Sequence, residues 1–329
     1  MEQIFNKLTE LIKTYDEIFL MTHCNPDFDG MGSAIALQQI INKFKKKSYI
    51  VKNNRDSDNS LNKAYNYMID KNLSHTFISK TAALNVINQN SLLIILDTQK
   101  EQLLELPQLL QMTNNIVVLD HHIKSQNNIR GMLIYVNANL SSTVELITRY
   151  MKYLNFDVDP LIATFMLIGL EIDTNNFRLK TTDKTYETAA ILARQGADNV
   201  IKQELLQEEK ETYVQKQKLI ENSYMINDNM ALCVADENVY SNQDLASIAL
   251  KLLQFENVEA SFVIGKIKED VIGISARSIG KVDVENIMSK LGGGGHLNEA
   301  ATQIKDSTIK EVKKQLLNVL GGKDESNIY

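Results

Sequence analysis

The sequence contains few cysteines, and this limits the kinds of site and cross-link that it can form. Among its 329 residues only Cys24 and Cys233 are cysteines, and they are far apart and outside any CxxC pair. Such usage is typical of a reducing compartment, and it excludes both a disulfide framework and a zinc cage built from cysteines. We therefore expect a cytoplasmic protein without disulfides.

Long apolar runs and an excess of positive charge are also missing. No run of eighteen apolar residues occurs, and residues 1–17 have an amphipathic helical pattern rather than the apolar core of a signal peptide. The formal charge is −6 at pH 7. Proteins that hold long nucleic acid by neutralising its phosphates need a basic surface. We expect a soluble chain with no membrane segment and no long nucleic acid as partner, while a small anion held by bound metal stays open.

Short apolar runs alternate with helical patterns over about the first 180 residues. This alternation predicts an α/β fold in which helices flank a mainly parallel sheet on both faces. The runs lie at 17–22, 48–52, 92–96, 116–119 and 132–136, and a helical pattern beginning at Gly30 follows the first.

A polar stretch then separates this pattern from a second α/β pattern. Residues 197–222 are rich in Glu, Gln and Lys and free of Gly and Pro, which predicts a connecting helix. Strands are expected at MALCVAD, EASFVIGKI and VIGISARS, with a last helix from Ser307. With 44% hydrophobic residues, the chain is expected to form two domains. The predicted division is a domain at 1–196, a helical linker at 197–225 and a smaller domain at 226–329.

Acidic and histidine side chains follow several of the predicted strands. Asp27 and Asp29 lie just past the first run, Asp97 just past the third, and Asp120, His121 and His122 just past the fourth. Ligands bind at this carboxyl edge in open α/β sheets. Imidazoles and carboxylates suit divalent cations such as manganese, with magnesium or cobalt as alternatives. The candidate metal ligands are His23, Asp27, Asp29, Asp97, His121 and Asp173.

Taken alone, each of these residues has an ordinary structural explanation. Asp29 fits the N-cap of the following helix, and Asp27 fits the turn after Pro26. The combination of six such residues at strand ends and element junctions is hard to obtain from capping alone, and it predicts a metal site. Four aspartates balance the charge of two divalent ions, and one aspartate must bridge them. Asp97, from a central run, is the expected bridge.

Two metal ions about 3.5–4 Å apart can lower the pKa of a shared water and clamp the oxygens of a phosphate, which predicts phosphoester hydrolysis. His121 and His122 are adjacent, so on extended backbone they should point in different directions. One could then bind metal while the other contacts substrate. Asp120 is the expected acid that orients a histidine ligand.

These segments resemble the motifs of a known family. NPDFDGMGSA, LDTQ, VVLDHH followed by SSTVELI, and GLEIDTNNF are similar to the four motifs of the DHH phosphoesterases, and GISARS with GGGGH is similar to the DHHA1 substrate domain. Within that family the chain is most similar to the catalytic portion of the GdpP-type cyclic-di-AMP phosphodiesterases. The resemblance implies manganese-dependent hydrolysis of c-di-AMP to linear pApA by metal-activated water, in a homodimer.

The resemblance also implies roles for individual residues. His23, Asp27 and Asp97 would hold one metal, and Asp29, Asp97, His121 and Asp173 the other, with His122 on the phosphate. In the DHHA1 segment, Arg277 and Ser275 would contact the substrate. Backbone N–H groups of a glycine run can approach a nucleotide closely, so Gly293, Gly294, Gly295 and the following His296 are further substrate candidates.

Some positions depart from the family pattern. Gly30 replaces an alanine, Asn298 and Glu299 replace Thr and Asn, and Lys180 and Lys184 replace arginines. GdpP-type proteins also carry membrane and sensor domains ahead of this pair, so the chain is either a soluble relative or a portion of something longer. The alternative functions are hydrolysis of pApA, nano-RNA or 3′-phosphoadenosine 5′-phosphate, and, in a different class, adenine-nucleotide sensing without turnover. An inorganic pyrophosphatase is a further metal-dependent alternative, but its substrate has no nucleotide base that could bind beside GGGGH.

Overall fold

The computed structural model describes residues 1–52, 59–71, 73, 77–124 and 129–321, except for the side chains of Asn59 and His296. The chain divides into two compact units, Met1–Gln207 and Glu208–Tyr329. Among the described residues, no helix is both long enough and apolar enough to cross a bilayer.

The first unit is built on a six-stranded sheet in which every neighbouring pair is parallel, as expected. The order of the strands in the sheet is β3-β2-β1-β4-β5-β6. The order reverses between β1 and β4, and ligands bind at the carboxyl ends of the strands at such a switch point. The strands are β1 (Glu17–Met21), β2 (Lys47–Lys52), β3 (Phe77–Ser79), β4 (Leu92–Leu96), β5 (Ile116–Asp120) and β6 (Leu133–Val136).

The short strand β3 was not predicted, because its three residues are too few to show a period. The other five strands match the predicted runs within a residue or two. Apolar side chains on both faces of β4 are buried, with Ile94 in one core cluster and Ile95 in the other. Helices cover both faces, which explains why these strands are continuous apolar runs.

Helices α2 and α6 pack against each other beside the carboxyl edge of the sheet. A Cβ at Gly169 of α6 would lie 2.7 Å from the backbone nitrogen of Asp29, so only glycine allows this approach. The helices of the unit are α1 (Glu2–Thr14), α2 (Phe28–Lys43), α3 (Asn59–Asp70), α4 (Lys80–Val86), α5 (Thr143–Leu154), α6 (Pro160–Asp173), α7 (Asp183–Arg194) and α8 (Asn199–Leu206), with 3-10 helices at Glu101–Leu103 and Pro107–Gln111.

The expected connecting helix over 197–222 is two helices, α8 and α9 (Lys210–Glu221). The backbone is extended at Gln207 and Glu209, which separates them. Leu205 is buried in the core of the first unit and Leu219 in that of the second, so the two helices belong to different units. No Gly or Pro marks the break, and the sequence pattern therefore did not reveal it.

The second unit contains a six-stranded sheet in the order β11-β12-β10-β9-β8-β7. Strands β8 and β9 are parallel, and the other neighbouring pairs are antiparallel. Two apolar clusters form its core, one around Phe262 and Ile274 and one around Leu245 and Val263. The remaining elements are β7 (Tyr224–Asn227), β8 (Met230–Val239), α10 (Asn242–Leu252), β9 (Ala260–Lys268), β10 (Val271–Ser278), α11 (Val284–Ser289), β11 (Gly294–His296), β12 (Glu299–Lys305) and α12 (Ile309–Leu320).

Candidate metal centre

The segment after β1 supplies three of the candidate ligands, His23, Asp27 and Asp29. Asp27, not Asp29, is the N-cap of α2, because its Oδ1 accepts hydrogen bonds from the backbone N–H groups of Asp29 (2.9 Å) and Gly30 (3.1 Å). The N-cap assignment considered for Asp29 is therefore wrong, and Asp29 lies buried in the first turn. His23 Nδ1 lies 3.0 Å from the carbonyl oxygen of Cys24, and its Nε2 faces Asp97 Oδ2 at 3.4 Å. Nε2 is the ring atom presented to the site.

Asp97 lies at the middle of the group. It directly follows β4 and has a left-handed backbone with φ of 63°, a conformation that aspartate tolerates better than most residues. Its Oδ2 faces His23, whereas its Oδ1 lies 3.3 Å from His121 Nε2 and 3.1 Å from Thr143 Oγ1. The two oxygens thus face two different sets of neighbours, as a bridging carboxylate requires.

Asp29, His121 and Asp173 form the other side of the group. His121 Nε2 lies 3.1 Å from Asp173 Oδ2 and 3.8 Å from Asp29 Oδ2. Asp173 is the last residue of α6, and the close packing of that helix at Gly169 brings it to Asp29. The Asp29 carboxylate also accepts the backbone N–H groups of Thr143 (2.8 Å) and Val144 (2.7 Å) at the start of α5. Asp29 therefore sits at the positive end of that helix.

The two adjacent histidines lie side by side, contrary to the expectation that they point in different directions. Their ring centroids are 4.4 Å apart. The physical reason is that β5 ends at Asp120 and the chain bends at His122, so the side-chain alternation of a strand does not continue through the two histidines. Potential metal-ligand atoms of Asp97, His121 and His122, one from each side chain, all lie within 4.8 Å of one another. The expectation about the ring directions is therefore wrong, and the separate roles expected for His121 and His122 rest on the family resemblance.

Asp120 orients His122 rather than the predicted histidine ligand His121. Its Oδ1 accepts the backbone N–H of His122 at 3.1 Å and lies 2.6 Å from His122 Nδ1, while Gln99 Nε2 donates to its Oδ2 at 2.8 Å. Asp120 thus orients a histidine, and that histidine is His122. His121 Nδ1 is buried and has no hydrogen-bond partner among the described residues. His122 is 30% exposed, so its ring is accessible while its Nδ1 is held.

The electrostatics of the group favour a cation. Burial, together with the charges of Asp97 and Asp173, raises the pKa of Asp27 to about 6. Burial and the charges of Asp173 and Asp97 likewise raise the pKa of Asp29 well above its usual range. At Asp97 burial raises the pKa, but hydrogen bonds from His121 and His23 outweigh it and leave the pKa well below the usual range. Repelling buried carboxylates of this kind are stabilised by bound metal.

The donor atoms cluster as two divalent ions would need. One group of ligand atoms within 4.8 Å comprises His23, Asp27 and Asp97, and another comprises Asp29, His121 and Asp173. All six predicted ligands are therefore brought together, in two sets that meet at Asp97. Their oxygen and imidazole nitrogen donors fit ions such as manganese or magnesium.

The predicted substrate residues form a separate group in the second unit. Ser275 and Gly294 both pair with Ala301 of β12, while Arg277 and His296 both pair with Glu299, so two rows cross strands β10, β12 and β11. The side chain of His296 lies outside the described part of the chain.

Arg277 has a buried donor without a partner among the described residues, and the glycine run has open space at one position. Arg277 Nη1 donates to the carbonyl oxygen of Ala276 at 3.0 Å, and its buried Nε has no hydrogen-bond partner among the described residues. A Cβ at Gly293 or Gly295 would strike β12, whereas a Cβ at Gly294 would meet nothing within 4 Å. Gly293 and Gly295 therefore let the strands pair closely, while the space beside Gly294 is open.

Two residues that contact the metal group were not among the predicted site residues. Thr143 contacts Asp29 and Asp97, and Gln99 contacts Asp120. Thr143 lies in the SST motif and Gln99 in the LDTQ motif, and both motifs carry the family resemblance. Their place in these motifs is the sequence feature that could have identified them as site residues. The preceding Ser142 is the N-cap of α5.

Comparison with known proteins identifies both units. Residues 17–170 match the DHH family N-terminal domain, and residues 229–322 match the DHHA1 domain. The chain is 37% identical over 325 residues to the cyclic-di-AMP phosphodiesterase PdeA of Listeria monocytogenes, covering 96% of this chain and 49% of that protein. It is also 37% identical over 318 residues to GdpP of Geobacillus thermodenitrificans, covering 95% of this chain and 48% of GdpP. The chain thus spans about half the length of these relatives.

A solved structure shares the fold over nearly the whole chain. The exopolyphosphatase-related protein from Bacteroides fragilis superposes with a TM-score of 0.82 at 19% identity, covering 98% of this chain and 96% of that protein. At this identity the likeness establishes the fold.

Proposed function

Because the chain belongs to the DHH family and carries a DHHA1 domain, we propose that it is a two-metal phosphodiesterase that hydrolyses cyclic di-AMP to linear pApA. The observation that carries this proposal is a pair of ligand groups that meet at the carboxylate of Asp97. One group contains His23 and Asp27, and the other contains Asp29, His121 and Asp173. The 37% identity to two cyclic-di-AMP phosphodiesterases supports the choice of substrate.

In this proposal His23, Asp27 and Asp97 hold one divalent ion, and Asp29, Asp97, His121 and Asp173 hold the other. Bound ions of this type supply charge neutralisation for the phosphate and lower the pKa of a water toward neutrality. Manganese is the proposed metal, with magnesium or cobalt as alternatives, because the donors are carboxylates and imidazoles. An adenine-nucleotide sensor without turnover would not need two complete ligand groups.

His122 is the proposed catalytic side chain on the phosphate. Asp120 accepts from its Nδ1 at 2.6 Å, so in the proposed role the ring is the imidazolium, whose Nε2–H donates to a phosphate oxygen. Gln99 holds the other oxygen of Asp120, so the carboxylate keeps its orientation toward the ring. This arrangement suits a group that donates a proton or hydrogen bond to the developing negative charge.

We propose that the first unit, which holds the candidate metal ligands, is catalytic and that the second unit binds the nucleotide. The Arg277 guanidinium can bind phosphate oxygens bidentately, and its Nε has no partner among the described residues. Ser275 lies on the same strand as Arg277, while Gly294, Gly295 and His296 form β11 and Gly293 directly precedes it. A cytoplasmic location and a homodimer remain predictions, and gel filtration with light scattering tests the second.

The deciding experiment is chromatography of the products formed from c-di-AMP, pApA and 3′-phosphoadenosine 5′-phosphate by the metal-stripped protein. Each substrate is incubated with manganese or with chelator, and the Asp97→Asn variant serves as a matched control for contaminating hydrolases. We expect manganese-dependent conversion of c-di-AMP to accumulating pApA. Turnover of the linear substrates alone would replace the proposal with a linear dinucleotide hydrolase, and binding without turnover would replace it with a sensor.

A further inference from the structure

Thr143, the first residue of α5, contacts two candidate ligands that belong to different parts of the chain. Its backbone N–H donates to Asp29 Oδ2 at 2.8 Å, and its side-chain Oγ1 lies 3.1 Å from Asp97 Oδ1. Thr143, Asp29 and Asp97 are all buried. We propose that Thr143 is a positioning residue that holds the Asp97 carboxylate in its bridging orientation, an inference that rests on the two-metal site of the proposed function.

The hydroxyl fixes which oxygen of Asp97 faces which set of ligands. An ionised carboxylate can only accept hydrogen bonds, so Thr143 Oγ1–H donates to Oδ1. That same oxygen faces His121 Nε2 at 3.3 Å, while Oδ2 faces His23 Nε2 at 3.4 Å. The torsion that rotates a carboxylate is broad, so the side chain does not fix its own orientation. A donor on Oδ1 restrains that rotation and keeps one oxygen on each side.

The position of Thr143 is itself fixed by a buried network. The Ser142 hydroxyl accepts the backbone N–H of Glu145 at 3.0 Å and caps the helix. The Glu145 carboxylate in turn accepts the backbone N–H of Ser141 at 3.1 Å and the hydroxyl of Thr185 at 3.3 Å, and it pairs with Arg149. The start of α5 is therefore tied to α7 as well as to its own helix. Thr143 can act as a fixed reference point for both ligands.

The contact is asymmetric between the two proposed metal sites. Oδ1 is the Asp97 oxygen on the side of His121, and Asp29 on that side is held by the N–H groups of Thr143 and Val144. In the part of the chain that the structure describes, Thr143 forms no hydrogen bond with His23 or Asp27. Removing the hydroxyl should therefore weaken the site of Asp29, His121 and Asp173 more than the site of His23 and Asp27. Loss of an outer partner of a metal ligand typically costs about 10–100-fold in metal affinity.

The test compares two threonine-to-valine variants within the same helix. Thr143→Val removes the hydroxyl that contacts Asp97 and keeps the backbone N–H that contacts Asp29. Thr148→Val is the matched control, because Thr148 is fully buried in α5 and its hydroxyl has no hydrogen-bond partner among the described residues. Isothermal titration of the metal-stripped full chain with manganese measures the affinity of each site, and thermal unfolding in chelator measures the metal-free fold.

We expect Thr143→Val to weaken one of the two manganese sites by about 10–100-fold, while Thr148→Val leaves both unchanged. Thr143→Ser, which retains the hydroxyl, should restore most of the lost affinity. Manganese binding by Thr143→Val equal to that of Thr148→Val would overturn the inference. So would an equal loss at both sites together with a lower unfolding temperature in chelator, since that pattern indicates a structural role. If the wild-type chain binds no manganese, the proposed function itself fails.

Discussion

At the scale of single residues, Asp97 is the position on which the two ligand groups depend. Its side chain lies between His23 and His121, and its backbone occupies a left-handed conformation after β4. Asparagine tolerates that conformation and has nearly the same shape as aspartate, but it lacks the negative charge. Replacing Asp97 by asparagine therefore separates the role of its charge from the role of its geometry.

We expect Asp97→Asn to fold but to lose both metals and essentially all turnover. Removing an outer partner of a metal ligand typically lowers metal affinity by about 10–100-fold. Asp97→Asn should lower it further, because a ligand shared by both metals is lost. Metal analysis of the dialysed protein and the rate of c-di-AMP hydrolysis in manganese provide the measurement. Near wild-type turnover would show that Asp97 does not bridge the metals.

His122→Ala is expected to retain its metals and lose turnover. His122 is a proposed phosphate contact, and its ring nitrogen Nδ1 is already occupied by Asp120. Removal of a proton or hydrogen-bond donor from a transition state typically costs about 100–10,000-fold in rate. The paired measurements are metal content and kcat, with His121→Ala as the comparison that should lose metal. Loss of metal from the His122 variant instead would exchange the roles of the two histidines.

The His23 imidazole should make the metal-free protein less stable as pH rises. Burial lowers the pKa of His23, but the hydrogen bond with Asp97 and the charges of Asp27 and Asp97 outweigh it and raise the pKa to about 10. The folded protein therefore holds this proton more tightly than the unfolded chain, whose histidine titrates near 6.5. The stability from this group is fully present below pH 6.5 and is lost as pH rises toward 10.

We expect the unfolding temperature in chelator to fall between pH 7 and pH 9, with a shallower fall in His23→Gln. Glutamine keeps a polar side chain but cannot titrate, so the difference between the two slopes isolates the imidazole. Equal slopes in the two proteins would show that His23 does not hold an extra proton in the metal-free state. Circular dichroism melts at matched ionic strength are sufficient.

At the scale of elements, the contact between α2 and α6 brings Asp29 and Asp173 together. A Cβ at Gly169 would lie 2.7 Å from the backbone nitrogen of Asp29, and the neighbour is backbone that cannot swing aside. We expect Gly169→Ala to separate the helices, weaken manganese binding and destabilise the fold by about 1–3 kcal/mol, as overpacking does. Denaturant unfolding and metal titration measure both effects. Unchanged values would mean that the helices yield without disturbing the site.

The glycine run beside β12 allows a second comparison between neighbouring positions. A Cβ at Gly293 would lie 2.2 Å from the carbonyl oxygen of Ala301, whereas a Cβ at Gly294 meets nothing within 4 Å. We expect Gly293→Ala to destabilise the second unit, while Gly294→Ala leaves the unfolding temperature unchanged and raises KM for the dinucleotide. A normal KM for Gly294→Ala would remove the space beside Gly294 from the proposed substrate site.

At the scale of the whole molecule, the two units should respond differently to metal. All six candidate ligands lie between His23 and Asp173, in the first unit. At 100 times its Kd, a ligand stabilises the folded state by about 2.7 kcal/mol, which for a domain of this size corresponds to an increase of roughly 5–10 °C. We expect manganese to raise one calorimetric transition by that amount and leave the other unchanged.

Gly293→Ala should shift the transition of the second unit and so identify it. Asp97→Asn should abolish the shift with manganese. If manganese raises both transitions equally in the wild-type chain, the metal is not confined to the first unit.

The sequence by itself determined the fold class, the positions of most strands along the chain and the chemical character of the site. Parallel strands buried on both faces are recognisable as apolar runs, and the acids and histidines that follow them are fixed by their position in the chain. His23, Asp27, Asp29, Asp97 and His121 were predicted for this reason. Asp173, at the end of α6, was predicted from its element junction and motif, and the structure brings all six together.

Only the tertiary structure decided how these side chains are oriented and what supports them. Thr143 donates to Asp29 across 114 positions of sequence, and Asp120 pairs with His122 because the strand ends before the two histidines. The break between α8 and α9 likewise follows from the burial of Leu205 and Leu219 in different cores. The physical reason is the difference in sequence separation between the interacting residues. Strand and helix periods depend on near neighbours, whereas the partner of each oxygen and ring nitrogen depends on packing between elements that are distant in sequence.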